Sequence, residues 1–206
     1  MTAAHRHRRA HKSHDPEQLM RIRLTVYFCA AVATLIVLRA YWLTPAQAVS
    51  VQNASLAPAF THRDADDWIN SRPLTWKDLQ GHVVLLDFWT FACWNCYRSI
   101  PWLHTVEDRF GPKGLRVVGV HTPELPHEYL RGNVLEKIVE FKLTHPVMLD
   151  NDHSYWKAIG NRYWPTFYLV DRRGRLRSVY YGETHAGDSN AQAMEAAIEK
   201  LLAEPA

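Results

Sequence analysis

The chain has 206 residues, 47% of them hydrophobic, which is enough for one well-buried domain with segments to spare and too short for two large ones. The formal net charge of +3 is mild, and Arg6, Arg8, Arg9, Lys12, Arg21 and Arg23 crowd the first two dozen positions, so the near-neutral remainder carries no electrostatic footprint for nucleic acid. Three cysteines are too few for a disulfide-stapled scaffold: Cys29 stands in an apolar run, and Cys93 and Cys96 stand three positions apart.

Residues 1–23 read as a basic cytoplasmic tail, and His5, His7, His11 and His14 belong to that cationic tail rather than to a metal site. Residues 24–43, LTVYFCAAVATLIVLRAYWL, are long enough at helical rise to cover a bilayer core of roughly 30 Å. Arg39 lies near the end, where its side chain can snorkel to the interface, and Tyr41 and Trp42 suit an aromatic belt. With the basic flank ahead of the span, the positive-inside rule places the rest of the chain on the outer side. A cleaved signal peptide is the competing reading, with Ala46-Gln47-Ala48 as its cleavage site. The long basic region and the wide gap to Ala48 favour an uncleaved anchor. Residues 44–65, rich in Ala, Ser, Pro and polar residues, read as a linker.

From residue 66 to 204 apolar runs alternate with helical spacing. Val83 to Phe88 is a buried strand after Gly81; Cys93 to about Phe110 is a helix interrupted by Pro101; Leu115 to Val120 is a second buried strand. Asn133 to Lys142 has helical spacing, Pro146 to Leu149 is a short strand, and His153 to Ile159 is a short helix ending near Gly160. Thr166 to Val170 and Leu176 to Tyr181 form a hairpin about the turn Asp171-Arg172-Arg173-Gly174. Ala191 to Leu202 is a closing amphipathic helix. This order describes an α/β domain of three layers, α/β/α, around a mixed central sheet.

The pair Cys93 and Cys96 follows a strand and opens a helix. Free amides and the dipole at a helix N-terminus favour an anion, which lowers a thiol pKa there, and the thiolate is the attacking species in disulfide exchange. One helical turn separates the sulfurs, so Cys93 at the open end is the expected nucleophile and Cys96 the expected resolver. A zinc site needs four ligands and no second pair exists; Tyr97 excludes the C-x-x-C-H haem signature. No metal or other cofactor is expected, the redox group being the cysteine pair itself.

Val83 to Pro101, VVLLDFWTFACWNCYRSIP, resembles the thioredoxin active-site segment. Trp68-Ile69-Asn70-Ser71, Gly119-Val120-His121-Thr122-Pro123-Glu124, Leu149-Asp150-Asn151 and Asn161-Arg162-Tyr163-Trp164-Pro165 extend the resemblance to TlpA-like exported thioredoxins, and within them to the thioredoxin-like C-terminal domain of DipZ-type proteins. The resemblance implies a thioredoxin fold in which Asp87 is the buried acid assisting proton transfer from the resolving thiol. It implies that Pro165 is the cis-proline facing the disulfide, that Trp164 offers backbone bonds to a bound polypeptide, and that Glu124 is an acid near the site. Trp94 and Asn95, between the cysteines, replace the Gly-Pro of thioredoxin itself, so its redox potential does not carry over. Trp89 and Trp164 are expected to flank the site as an aromatic platform, with core packing as the competing reading. Pro101 matches the proline that kinks the active-site helix.

The function implied is a membrane-anchored thiol–disulfide oxidoreductase exchanging with cysteine pairs of exported proteins, with reduction of apocytochrome c as the common TlpA-like role. The polytopic domain of DipZ-type proteins is not in the sequence, so a separate membrane protein is expected as electron donor or acceptor. Two alternatives stand beside it. A thiol peroxidase would need a Pro-x-x-x-Thr lead-in to its cysteine, where this chain has Phe91-Ala92. A copper-binding chaperone module would use Cys93, Cys96 and a histidine such as His121.

Overall fold

The computed structural model describes residues 49–50 and 55–205. In chain order the strands are β1 (Val49–Ser50), β2 (Trp68–Ile69), β3 (Val83–Trp89), β4 (Leu115–His121), β5 (Val147–Leu149), β6 (Thr166–Val170) and β7 (Leu176–Tyr181). The α-helices are α1 (Trp94–Phe110), α2 (Arg131–Glu140), α3 (Ser154–Ile159) and α4 (Ser189–Ala203). The strands form one mixed sheet in the order β1-β7-β6-β3-β4-β5-β2. Strands β3, β4 and β5 run parallel, while β6, β7, β1 and β2 join antiparallel to their neighbours.

Every residue of β3 is buried, as the unbroken apolar run requires of a strand covered on both faces. Val83 and Leu85 pack with Trp102, Leu103, Val106 and Phe110 of α1 and with Met194, Ile198 and Leu201 of α4. Further along that face Trp89, Val147 and Leu149 meet Val134 and Ile138 of α2. Val84, Leu86 and Phe88 point the other way, into a cluster with Phe60, Trp68, Met148, Tyr155 of α3 and Tyr168. Phe88 stacks on Tyr155 with ring centroids 5.9 Å apart. The three layers are those expected from the order of elements.

Several local expectations need correction. The active-site helix runs through Pro101 without a break, because the buried residues Ser99, Trp102, Leu103 and Val106 hold both halves against the sheet. Residues 44–65 are not only a linker. Val49–Ser50 pairs with β7, Leu56 bridges Arg175, Ala57 and Phe60 are buried, and Trp76 donates its indole N–H to the Pro58 carbonyl at 2.7 Å. A polar, proline-containing composition concealed the two apolar anchors. Trp68–Ile69, recognised only as a motif, forms the edge strand β2. Asp150 caps α3: its carboxylate accepts the N–H groups of Tyr155 at 2.9 Å and Trp156 at 2.8 Å, and His62 contacts it at 3.1 Å. Among the described residues no helix is long and apolar enough to cross a membrane, and the expected span at 24–43 lies outside them.

Gly119 of β4 sits opposite Asp87 of β3 and Val147 of β5. A Cβ there would lie 3.1 Å from Trp89 Nε1, 3.1 Å from Val147 Cγ2 and 3.3 Å from His145 Nε2. Gly119→Ala is therefore expected to destabilise the fold by about 1–3 kcal/mol through overpacking, read as a lower urea midpoint at unchanged m-value. An unchanged midpoint would mean that this crowding is relieved at no cost.

Candidate active site

Strand β3 ends at Trp89, and four residues later Cys93 caps the N-terminus of α1 in an extended conformation. Cys93 and Cys96 form a disulfide with Cα atoms 5.2 Å apart, and Cys93 Sγ accepts the Cys96 N–H at 3.2 Å. Cys93 is half-buried and Cys96 is only 4% exposed, so one sulfur faces solvent and the other faces the core. That asymmetry comes from the helix. The Ncap residue stands at the open end, and three positions on the side chain turns inward beside Trp89 and Val134.

Asp87 occupies the fifth position of β3 on the α1 face, in line with Val83, Leu85 and Trp89. It is buried and one carboxyl oxygen, Oδ1, has no hydrogen-bond partner. Burial pushes its pKa up to about 8, and the nearby negative charge of Glu107 adds to the effect. Beside it, Trp89 Nε1 and His145 Nε2 are likewise buried without partners. The other nitrogen of His145 meets Glu107 Oε1 at 3.0 Å, and Asn70 clamps this loop by donating to the carbonyls of Leu143 at 2.9 Å and His145 at 3.0 Å.

A second acid shapes the approach to Cys93. Glu128 is fully buried, and its Oε1 accepts the Thr90 hydroxyl and, at 2.8 Å, the Ala92 N–H. Its Oε2 accepts the N–H groups of Glu124 at 2.9 Å and Leu125 at 2.7 Å. Burial works to raise the Glu128 pKa, but these four bonds to the charged form outweigh it and hold the carboxyl below its ordinary value. Glu128 thus ties the segment leading into the cysteines to the loop after β4. The acid expected here, Glu124, is exposed and contributes only its backbone N–H. Glu128 escaped notice because its role is tertiary. The available signal was local: a Pro126-x-Glu128 start of a helical turn, with the acid at the position that reaches back to the cap.

The Trp164–Pro165 peptide is cis, and the Trp164 indole donates to the Thr122 carbonyl at 3.1 Å and packs on Trp156. Trp164, Phe91 and Cys93 pack against the cluster that holds Cys96 and Trp89. Trp94 is 65% exposed and stacks on Tyr97, while Asn95 is exposed and its carbonyl accepts the Ser99 hydroxyl at 2.8 Å. Trp89 is buried and contacts the His121 ring, so it belongs to the core rather than to an exposed platform. His121 is also buried, between Trp89 and Phe91, and burial lowers its pKa to about 4 against the pull of Glu128. Among the described residues, the grouping with cation-ligand spacing is His62, Asp150 and Asp152, which includes neither cysteine nor His121.

A strand, a C-x-x-C disulfide capping the next helix, a buried acid under that helix and a cis-proline strand beside it define a redox domain of the thioredoxin fold. The Redoxin family matches residues 52–198, and the chain belongs to that family, as a thiol–disulfide oxidoreductase domain of the thioredoxin superfamily. It is 39% identical over 138 residues to Protein DipZ of Mycobacterium bovis, covering 66% of this chain and 19% of that protein. The chain therefore spans about a fifth of the length of the DipZ proteins it matches. It is 30% identical to thiol-disulfide oxidoreductase YkuV of Bacillus subtilis over 66% of this chain and 88% of that one. A solved thioredoxin-like protein in the oxidised form superposes with a TM-score of 0.62 at 29% identity, covering 76% of this chain and all of that one.

The raised Asp87 pKa has a thermodynamic consequence. The folded state holds a proton that the unfolded state has released, so the stability tied to Asp87 is full below about pH 4 and is lost as pH rises toward about 8. Asp87→Asn removes this loss. In urea unfolding of the oxidised protein the variant is expected to gain on the order of 5 kcal/mol over the native chain near pH 8, with the difference shrinking toward pH 4. Parallel pH profiles for the two proteins would contradict the assignment.

Proposed function

We propose that the chain is a membrane-tethered oxidoreductase that exchanges its Cys93–Cys96 dithiol and disulfide with cysteine pairs of exported proteins. The observation that carries the chemistry is the asymmetric disulfide at the N-terminus of α1, with Cys93 half-buried, Cys96 buried, and the acid Asp87 buried on the sheet face that α1 covers. The Cys93 thiolate attacks a substrate disulfide, forms a mixed disulfide and releases one substrate thiolate. The Cys96 thiol passes its proton to the Asp87 carboxylate, and the resulting thiolate attacks Cys93 Sγ, releasing the second substrate thiolate. Two electrons have then moved to the substrate and the Cys93–Cys96 bond has formed; the reverse sequence oxidises a substrate dithiol.

Trp94, Asn95, Trp164 and Pro165 suit the binding of an extended polypeptide over the disulfide: the first two are exposed, and a proline leaves its neighbour's backbone free to pair. The tether rests on the sequence of residues 24–43 and on the basic flank before it. That topology puts the domain on the periplasmic side of the inner membrane, where a separate membrane protein would supply or accept electrons. Preparation of cytochrome c for haem attachment is the substrate role that the TlpA-like resemblance favours.

Cys93→Ser is expected to abolish exchange, and Cys96→Ser to accumulate a mixed disulfide with substrate, read by non-reducing electrophoresis of cell extracts. A Cys93→Ser protein that stays active, with nothing trapped on the Cys96→Ser protein, would sink the mechanism.

A further inference from the structure

The mechanism leaves Asp87 with a problem of access. Its pKa near 8 keeps the carboxyl protonated at neutral pH, so it must release a proton before it can take one from Cys96. It is buried, and a polypeptide joined to Cys93 would cover the end of the site nearest solvent. A route for protons must therefore leave by another side.

We propose that His145 and Glu107 form that route, a proton relay joining Asp87 to solvent at the opposite end of the strands from Cys93. The inference rests on the oxidoreductase reading above. Three buried polar atoms without partners, Asp87 Oδ1, Trp89 Nε1 and His145 Nε2, flank the same point of β4, where Gly119 supplies no side chain. Asp87 is paired in register with Gly119, and the Cβ direction of Gly119 leads toward Trp89 Nε1 and His145 Nε2 at 3.1 and 3.3 Å. Buried polar groups are ordinarily satisfied, so three unpaired ones at one point call for an explanation. On the far side of the imidazole, Nδ1 meets Glu107 Oε1 at 3.0 Å, and His104 Nδ1 stands 3.9 Å from Glu107. Glu107 and His145 line an open cleft of about 200 Å³ with Gly111, Leu115 and Arg116, and Leu115 pairs with Val83, at the start of β3 rather than at its cysteine end.

The transfers balance. Asp87 Oδ1 and His145 Nε2 are not hydrogen-bonded to each other, so a water entering between them carries the first step: it takes the Asp87 proton and gives one to His145 Nε2 as Nδ1 gives its own to the Glu107 carboxylate, and Glu107 releases one proton to water. Only O–H and N–H bonds change, and the electrons stay with the sulfurs. The reductive half-reaction runs the same steps backward and restores the tautomer. Among the described residues, the titratable groups on the Asp87 face include Cys96, His104 and Glu107 from α1, His145 from the loop before β5 and, one strand beyond Phe167, Tyr180 of β7. β4 presents Gly119 there and β6 presents Phe167. A carboxylate paired with the imidazole is also what fixes Nδ1–H toward Glu107 and leaves Nε2 free to accept.

The test follows oxidation of the reduced full chain by oxidised glutathione in stopped flow from about pH 6 to about pH 9, with His145→Gln and Glu107→Gln as variants that keep an amide in place of each titrating group. Formation of the mixed disulfide at Cys93 is expected to be unchanged in both. Its resolution by Cys96 is expected to slow by about tenfold below pH 8, with the gap narrowing above it, where Asp87 ionises without assistance. Unchanged resolution in both variants would overturn the relay alone. Equal slowing of both steps at every pH would show a purely structural pair and overturn it as well. Failure of the unsubstituted chain to form any mixed disulfide would overturn the oxidoreductase reading beneath it.

Discussion

Strand β3 is enclosed on both faces, and the redox site inherits its geometry from that enclosure. Burial of Val83, Leu85 and Phe88 fixes the strand against α1 and α4 on one side and against α3 and Phe60 on the other. The strand then delivers Cys93 to the start of a helix whose own apolar stripe is committed to the same core. Cys96 cannot turn away from the core without unpacking the helix. Cys93 is therefore held where free amides stabilise an anion, and Cys96 where its thiol faces protein. The same enclosure explains why one ionisable residue in the strand, Asp87, behaves unlike a surface carboxylate.

Two buried acids divide the work by environment. Glu128 meets four donors and is held ionised; it acts as a clasp between the loop before Cys93 and the loop after β4. Asp87 has an unpartnered oxygen and an apolar strand around it, so desolvation prevails and the proton stays. Hydrogen bonding to the charged form outweighs burial in one case and not in the other. The first acid suits a fixed scaffold, the second a proton acceptor whose state changes with the chemistry.

Much of this was legible in the residues. Strands Thr166–Val170 and Leu176–Tyr181 have the expected bounds, because an apolar run, a turn with Gly174 and a second run leave little choice. The strand–cysteine–helix order pointed to the cysteines directly, and the thioredoxin resemblance pointed to Asp87. What stayed hidden depends on contacts distant in sequence. Glu107 and His145 are separated by 38 positions and carry no shared motif. Glu128 looked like one more surface acid, and Glu124 stood in the motif that drew attention. Pro101 read as a break because local propensity counts its missing N–H and not the buried residues around it. Phe60 was lost in a stretch whose average composition is that of a linker, although a single aromatic ring is enough to anchor such a segment.

The central claim is that Cys93 and Cys96 form a working redox couple and not a structural staple. Its most direct measure is the equilibrium reduction potential of the pair, titrated against glutathione and dithiothreitol buffers. A reversible two-electron transition between roughly −270 and −120 mV is the expected result, the range of proteins that exchange disulfides for function. A bond that resists reduction below about −300 mV, or a transition that does not reverse, would mark it as structural and contradict the account.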